Sequence, residues 1–419
     1  MSGNLRVLVA GAGIGGLCLA QGLQKAGIEV TVVERDRSQH FRNQGYRIGL
    51  NTDGGRALRN CLPEKLFELS IATSRKPLAG RFAMYDPQLS ECYARPMRQP
   101  TENLSLPDGP FTSVNRLTLR EILLVGLENV VHFGKSLTRI EQTGGLVRAH
   151  FADGTSDTGD LLVGADGANS VTRQCLLPHA KLSNPAPRIY GRTLLPSYVE
   201  PWAPSILTQG ISIVRDVNGT TLMLGAFYKG EAFGKATARL APNVHLTDVP
   251  DYLMWTMNAP FSALQLDEEA FWIADGAVLK AAAQRVVASW HPVVRQLINE
   301  ADAPAIFPVA LRSSERVAPW PTTNVTLLGD AIHTMSPARG LGANIALRDA
   351  ELLCRNLAKV SRGEQLLDAV SAYENSMLLY GFDAVEESKA RPFFGPPNSR
   401  VHSHGKTPGN LRPPMIPGA

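Results

Sequence analysis

The chain has no run of 18 or more apolar residues, so no membrane-spanning helix is expected. It has no C-x-x-C pair, and its five cysteines (Cys18, Cys61, Cys92, Cys175, Cys354) are odd in number and widely spaced. That argues against a disulfide framework or a zinc site and for the reduced thiols of a cytoplasmic protein. No basic run with interleaved aromatics appears, and Lys+Arg outnumbers Asp+Glu by only 42 to 38, so no nucleic-acid partner is expected. The 37 glycines and 29 prolines follow no three-residue period, which excludes a collagen-like chain. With the first apolar strand beginning at Leu5, no leader peptide is expected either.

The composition that is present describes a globular protein. Apolar residues make up 44% and charged residues 19%, enough apolar material for a core and too little charge for disorder. At roughly 100–200 residues per domain, 419 residues suggest two to four domains.

The N-terminus is the most informative segment. Residues 5–10 (LRVLVA) read as a buried parallel strand, followed by Gly11-Ala12-Gly13-Ile14-Gly15-Gly16 and a helix closed by Gly27. A second apolar run, 28–33, ends in Glu34. This is a βαβ unit carrying G-x-G-x-x-G in its required place. Gly11 permits the tight turn, Gly13 lets the backbone approach a pyrophosphate, and Gly16 lets the helix pack on the strand. Glu34 would accept hydrogen bonds from an adenosine ribose, and its charge disfavours a 2′-phosphate there. The motif does not choose between NAD and FAD.

Two later motifs favour FAD. A strand at 160–163 (DLLV) runs into Gly164-Ala165-Asp166-Gly167-Ala168-Asn169-Ser170, with Arg173 beyond. That places Asp166 at the carboxyl edge of a sheet, where ligands of open α/β sheets bind, although a helix cap is the simpler role. Residues 325–328 (VTLL) run into Gly329-Asp330-Ala331-Ile332-His333, then Pro337, Gly340, Gly342 and Asn344 before a helix. Asp330 suits a ribityl hydroxyl, and the N–H groups near Gly342 and Ala343 suit the pyrimidine edge of a flavin. His333 has no second ligand at a metal-like spacing, so it reads as structural or positioning and no metal is expected.

GAGIGGL, GADGANS and GDAIHTMSPARGLGAN stand in an order and spacing that resemble the FAD-dependent aromatic hydroxylases, the flavoprotein monooxygenases typified by para-hydroxybenzoate hydroxylase. The resemblance covers about residues 5–357. By resemblance, Arg116 in Ser113-Val114-Asn115-Arg116-Leu117 matches an FAD-contacting arginine, with Arg120 one turn on as a second candidate. Arg42 of Arg42-Asn43-Gln44-Gly45 matches an arginine near the flavin and the incoming nicotinamide. The resemblance also places Asn344 with Gly342 and Ala343 among the cofactor contacts. The next residues, Gly45-Tyr46-Arg47-Ile48-Gly49, depart from the small residues many members have. No W-x-W-x-I-P motif points to a flavin halogenase, and no thioredoxin-like domain follows.

Between the second and third motifs the pattern turns β-rich. Strands are expected at 188–195, 210–215 and 220–228, the last two joined at Asn218-Gly219, with helices at 250–258 and 281–299 and a strand at 306–312. The family builds its substrate cavity between such a sheet and the flavin. Arg192 is the expected catalytic residue, holding a substrate oxygen. Met223, Phe227, Tyr228 and Phe307 are the expected cavity lining.

The expected architecture is α/β: a Rossmann-like FAD-binding domain (1–180 and 316–394) split by a β-sheet substrate domain (181–315), a C-terminal helix near 366–387, and a Pro/Gly-rich tail (395–419). The resemblance implies a monooxygenase that uses FAD, transient NADPH or NADH, and molecular oxygen, through a flavin C4a-hydroperoxide. Its substrate would be an aromatic or polycyclic molecule of secondary metabolism or antibiotic modification. A flavin-dependent reductase or dehydrogenase of related fold, or a non-catalytic FAD- or ligand-binding protein, stays open at this point.

Overall fold

The computed structural model describes residues 5–38, 45–75, 80–97, 112–195, 205–337 and 340–390. The tail beyond 390 and Arg42 lie outside them.

Five parallel strands form the first sheet, in the order Val325–Leu327, Leu161–Gly164, Arg6–Ala10, Glu29–Glu34 and Val131–Phe133. Alternate side chains of Arg6–Ala10 serve two cores. Val7 and Val9 pack under the helices Ile14–Lys25 and Gly342–Val360, whereas Leu8 and Ala10 meet Leu137, Val147, Ala149 and Phe151 of a three-stranded antiparallel sheet. Burial on both faces explains the unbroken apolar run in the sequence. The helix Leu366–Ala390 packs along the Val325–Leu327 edge, where Tyr373 donates to the Leu327 carbonyl at 2.8 Å.

The second sheet has seven strands, in the order Phe307–Leu311, Ala186–Leu194, Tyr252–Asn258, Thr221–Phe227, Gly210–Arg215, Arg81–Tyr85 and Glu91–Pro96. Two of them precede residue 181, so this sheet reaches outside the expected 181–315 segment. One face packs Leu222, Leu224, Leu253, Trp255 and Met257 under the helices Gly276–Val286 and Pro292–Asn299. The other face looks toward a two-stranded bridge, Arg47–Leu50 paired with Thr112–Asn115.

Two expectations from the sequence are corrected. Residues 250–258 hold not a helix but the strand Tyr252–Asn258, paired on both sides in the middle of the large sheet. Its first four residues, Tyr252 to Trp255, are all apolar because the strand is largely buried, and periodicity cannot separate such a run from a buried helix. The helix at 281–299 is two helices, because Pro292 takes the first position of the second and displaces His291 from helical geometry.

Candidate active site

At the nucleotide end, the three motif glycines have separate jobs. Gly11 sits at φ +113°, and a β-carbon there would lie 2.3 Å from the Ala165 carbonyl oxygen, so the first motif is pressed onto the second. A β-carbon on Gly16 would lie 2.1 Å from the Gly11 carbonyl oxygen. Around Gly13, in contrast, a β-carbon would meet nothing within 4 Å. Gly13 caps the helix Ile14–Lys25 with no side-chain hydrogen bond and no acid in the first turn. That helix therefore presents bare N–H donors and its positive end to a space shaped by a missing side chain.

The loop is held from below. Glu34 accepts from Ala12 N at 2.8 Å and from Asp36 N at 2.9 Å, and Arg120 Nε donates to the Ala12 carbonyl at 3.0 Å. Asp166 accepts from Ser170 Oγ at 2.5 Å and from Thr172 N at 3.1 Å, so it ties off the turn into the short helix Val171–Leu176. Arg173 links the second motif to the third, donating to the carbonyls of Ala331 at 2.7 Å and Ala168 at 2.8 Å.

The third motif forms the other end of the site. Asp330 keeps access to solvent while standing deep among protein atoms. Burial raises its carboxyl, and His333 and Arg116 pull it back. A β-carbon on Gly342 would lie 3.8 Å from Asp330 Oδ1, which brings that carboxylate beside the first turn of the helix Gly342–Val360. The N–H groups of Gly342 and Ala343 lie in that turn, where no intrahelical acceptor exists. Facing them, Gly49 has nothing within 4 Å of its would-be β-carbon. Asn344 fixes this spacing: it accepts from Asn51 N at 2.9 Å and donates to the carbonyls of Gly49 and Gly340 at 2.8 Å each.

The large sheet closes the site. Arg192, Met254 and Gly225 are cross-strand neighbours on its open face, as are Tyr190 and Phe307. Tyr46 lies across them, with Tyr252 and Phe307 at 5.9 Å and the Arg192 guanidinium 5.3 Å from its ring centre. The Tyr46 hydroxyl donates to the Ala305 carbonyl, and Asn115 Nδ2 donates to the Tyr252 hydroxyl at 3.0 Å. Desolvation pushes both phenols up, so both stay neutral. The charge of Arg116 reaches both Asp330 and Tyr190, which puts the cofactor residues and the sheet face side by side.

The sequence was compared with known proteins. The FAD binding domain profile matches residues 4–52 and 284–388, the second stretch including the strand Phe307–Leu311 of the large sheet. The FAD-dependent monooxygenase dbaB of Emericella nidulans is 30% identical over 386 residues, covering 85% of this chain and 87% of its own length. The chain belongs to the FAD-dependent monooxygenases. This monooxygenase is also 32% identical over 397 residues to the dual O-methyltransferase/FAD-dependent monooxygenase CTB3 of Cercospora beticola, covering 88% of the chain but only 44% of that protein. It thus spans less than half of that relative. Its fold matches 2,6-dihydroxypyridine-3-hydroxylase of Arthrobacter nicotinovorans with a TM-score of 0.73, at 19% identity and covering 99% and 100% of the two chains.

The residues of this monooxygenase fit FAD. The bare helix end at Gly13 suits a pyrophosphate, Glu34 a ribose, and Asp330 a ribityl chain. Gly49 leaves open space where a side chain would stand, and the first turn at Gly342 offers unsatisfied N–H groups to a flavin ring. The Asn344 side chain is engaged by protein hydrogen bonds, to Asn51 N and to the carbonyls of Gly49 and Gly340. Two expected cavity residues, Phe227 and Tyr228, stand elsewhere. Phe227 is fully buried and stacked on Tyr252 at 5.2 Å, which makes it packing beneath the cavity. Tyr228 packs with the helix-covered cluster, because its place in the strand alternation points it away from Met223. Arg192, Met223 and Phe307 do share the open face. Tyr46 and Tyr252 escaped the sequence reading, the first in an atypical loop and the second in a segment taken for helix.

Proposed function

We propose that this monooxygenase inserts one oxygen atom into an aromatic or polycyclic small molecule, by hydroxylation or epoxidation, with NADPH or NADH as transient electron donor. The observation that carries the reading is the placement of Arg192. It lies on the open face of the large sheet beside the Tyr46 ring, with its Nε unpartnered and only a 3.8 Å approach to Asp302.

FAD, when bound and reduced, supplies the oxygen-transfer chemistry. The chain supplies the rest. Residues 1–180 and 316–394 hold the cofactor, and 181–315 with the strands Arg81–Tyr85 and Glu91–Pro96 hold the substrate. Arg192 donates to a phenolic or carbonyl oxygen and stabilises the charge that grows there. Tyr46, Tyr252 and Met223 exclude water from the reacting carbon. Asp330 and the helix end at Gly342 orient the flavin. His333 and Arg116 oppose the upward push of burial on the Asp330 carboxyl. NADPH is the donor favoured by resemblance, docking transiently, since no second G-x-G-x-x-G is present. The fungal relatives support a place in secondary metabolism.

The test is to purify the protein, identify the released flavin, and screen aromatic metabolites for stimulated NADPH oxidation, oxygen uptake and a product heavier by one oxygen atom. Equal turnover without oxygen would give the reductase reading instead. Retained FAD with no stimulated oxidation would leave a binding protein.

A further inference from the structure

Arg47 belongs to none of the cofactor contacts described above, yet the fold makes room for it. It opens the strand Arg47–Leu50, whose next residue, Ile48, is buried in the main core. Alternation along the strand sends Arg47 the other way, onto the large sheet. There its Nη1 occupies the place of a missing side chain: a β-carbon on Gly225 would lie 2.8 Å from it. The sole protein hydrogen bond of its guanidinium among the described residues is a long one, 3.4 Å to the Ala226 carbonyl. A guanidinium has five N–H donors, so most of this fork is unspent.

The charge around Arg47 is lopsided. The charged neighbour that acts on it is another cation, Arg75, which is 5% exposed with Nε and Nη2 unpartnered. Tyr252, two residues along the strand from Met254, feels the charge of both Arg47 and Arg192. Its phenol is neutral, however, and cancels neither. Asp302 approaches Arg192 no closer than 3.8 Å, and no carboxylate pairs with Arg47 among the described residues. Burial and Arg75 together pull Arg47 down to about 10, still protonated at neutral pH. Partly desolvated cations without a carboxylate beside them favour an anion in the space they share.

Register gives the spacing. Arg192 pairs with Met254, and Met254 pairs with Gly225, where Arg47 ends. Two strand separations of roughly 4.8 Å each put the Arg192 backbone about 10 Å from Gly225, the seat of Arg47, with Met254 between them. We propose that Arg47 and Arg192 together select a fused-ring acid, a molecule lying over Met254 with an ionised carboxylate, enol or phenol toward Arg47 and a second oxygen toward Arg192. This rests on the monooxygenase reading above and narrows its substrate class. Arg47 is then the specificity residue, with Gly225 kept bare to seat it.

The experiment titrates FAD-loaded protein with 6-hydroxy-2-naphthoate and with its methyl ester, following the flavin absorbance. In the wild type the acid should bind at least tenfold more tightly than the ester. Arg47→Gln should bring the two within threefold while keeping FAD at full stoichiometry, and Arg47→Lys should retain part of the preference. Gly225→Val, which fills the seat from the opposite element and leaves the arginine in the chain, should erase the preference as well. Three results overturn the proposal. These are a wild type that binds acid and ester alike or neither, an Arg47→Gln variant with its preference intact, and an Arg47→Gln variant that folds but sheds FAD. The last would assign Arg47 to the cofactor. A wild type that purifies and reconstitutes without flavin would instead remove the monooxygenase reading itself, which separates the two failures.

Discussion

His333 Nε2 lies 2.7 Å from Asp349 Oδ2, and neither side chain has any exposed surface. The same carboxylate accepts from Gly329 N at 2.8 Å and from the Tyr380 hydroxyl at 2.6 Å. One buried acid therefore ties the strand end before Asp330 to the long helix and to the C-terminal helix. This sets His333 apart from the reacting groups and makes it a strut behind the flavin site.

The strut is pH-dependent. Burial alone would lower the His333 pKa, but Asp349, by charge and hydrogen bond, and Asp330 together leave it raised. A raised folded-state pKa contributes stability that is complete below about 6.5, the unfolded value, and is lost as pH rises through the folded value. Denaturant unfolding of the wild type should therefore show stability falling above about pH 6.5, and His333→Gln should flatten that slope. Asp349→Asn should cost about 3–5 kcal/mol near neutral pH, since it breaks a buried pair. An unchanged slope in His333→Gln would show that the pair does not titrate.

Gly381 tests the same region sterically. A β-carbon there would lie 2.6 Å from His333 Cδ2. Gly381→Ala should lower stability by about 1–3 kcal/mol, as overpacking does, and reduce FAD retention with it. Thermal unfolding with and without added FAD reads both effects.

Gly11 and Gly13 should separate folding from cofactor binding. Gly11→Ala combines a positive φ with a 2.3 Å contact to backbone, so it should destabilise the apoprotein. Gly13→Ala meets nothing within 4 Å in a conformation open to any residue, so apoprotein stability should hold within about 1 kcal/mol. Its FAD affinity should nevertheless fall at least tenfold. Equal FAD affinity in Gly13→Ala would show that the bare helix end is not the pyrophosphate seat.

Asn344→Ala leaves the Asn51 N–H and the Gly49 carbonyl without their partner at a position 1% exposed. The loss should be about 1–3 kcal/mol of stability. It should also weaken FAD binding, because the Gly49–Asn51 backbone is no longer tied to the helix Gly342–Val360. Flavin fluorescence titration measures the second effect.

Arg192→Gln should retain FAD and reduce substrate-stimulated NADPH oxidation at least tenfold, with Arg192→Lys recovering little, because a point charge does not reproduce a planar fork. Activity within twofold of wild type would move the substrate grip elsewhere.

Local sequence by itself determined the nucleotide half of the molecule. Gly11, Gly13, Gly16 and Glu34 are confined to a few residues whose backbone demands are short-range, so their spacing announces a turn, a helix end and an acid. The GADG and GDAIH segments are legible for the same reason. What they touch is not legible: only the fold shows Gly11 pressed on Ala165, Arg173 donating to Ala331, and the Asn344 amide spent on Asn51, Gly49 and Gly340. The face of the large sheet was left to tertiary structure altogether. Tyr252 to Trp255 are apolar without a break, so that stretch carries no phase, and pairing with two neighbouring strands decides that Tyr252 and Met254 face the site while Leu253 and Trp255 face the helices. Arg47 and Gly225 stand 178 positions apart, and the fit of one into the space left by the other exists only after the two sheets have met.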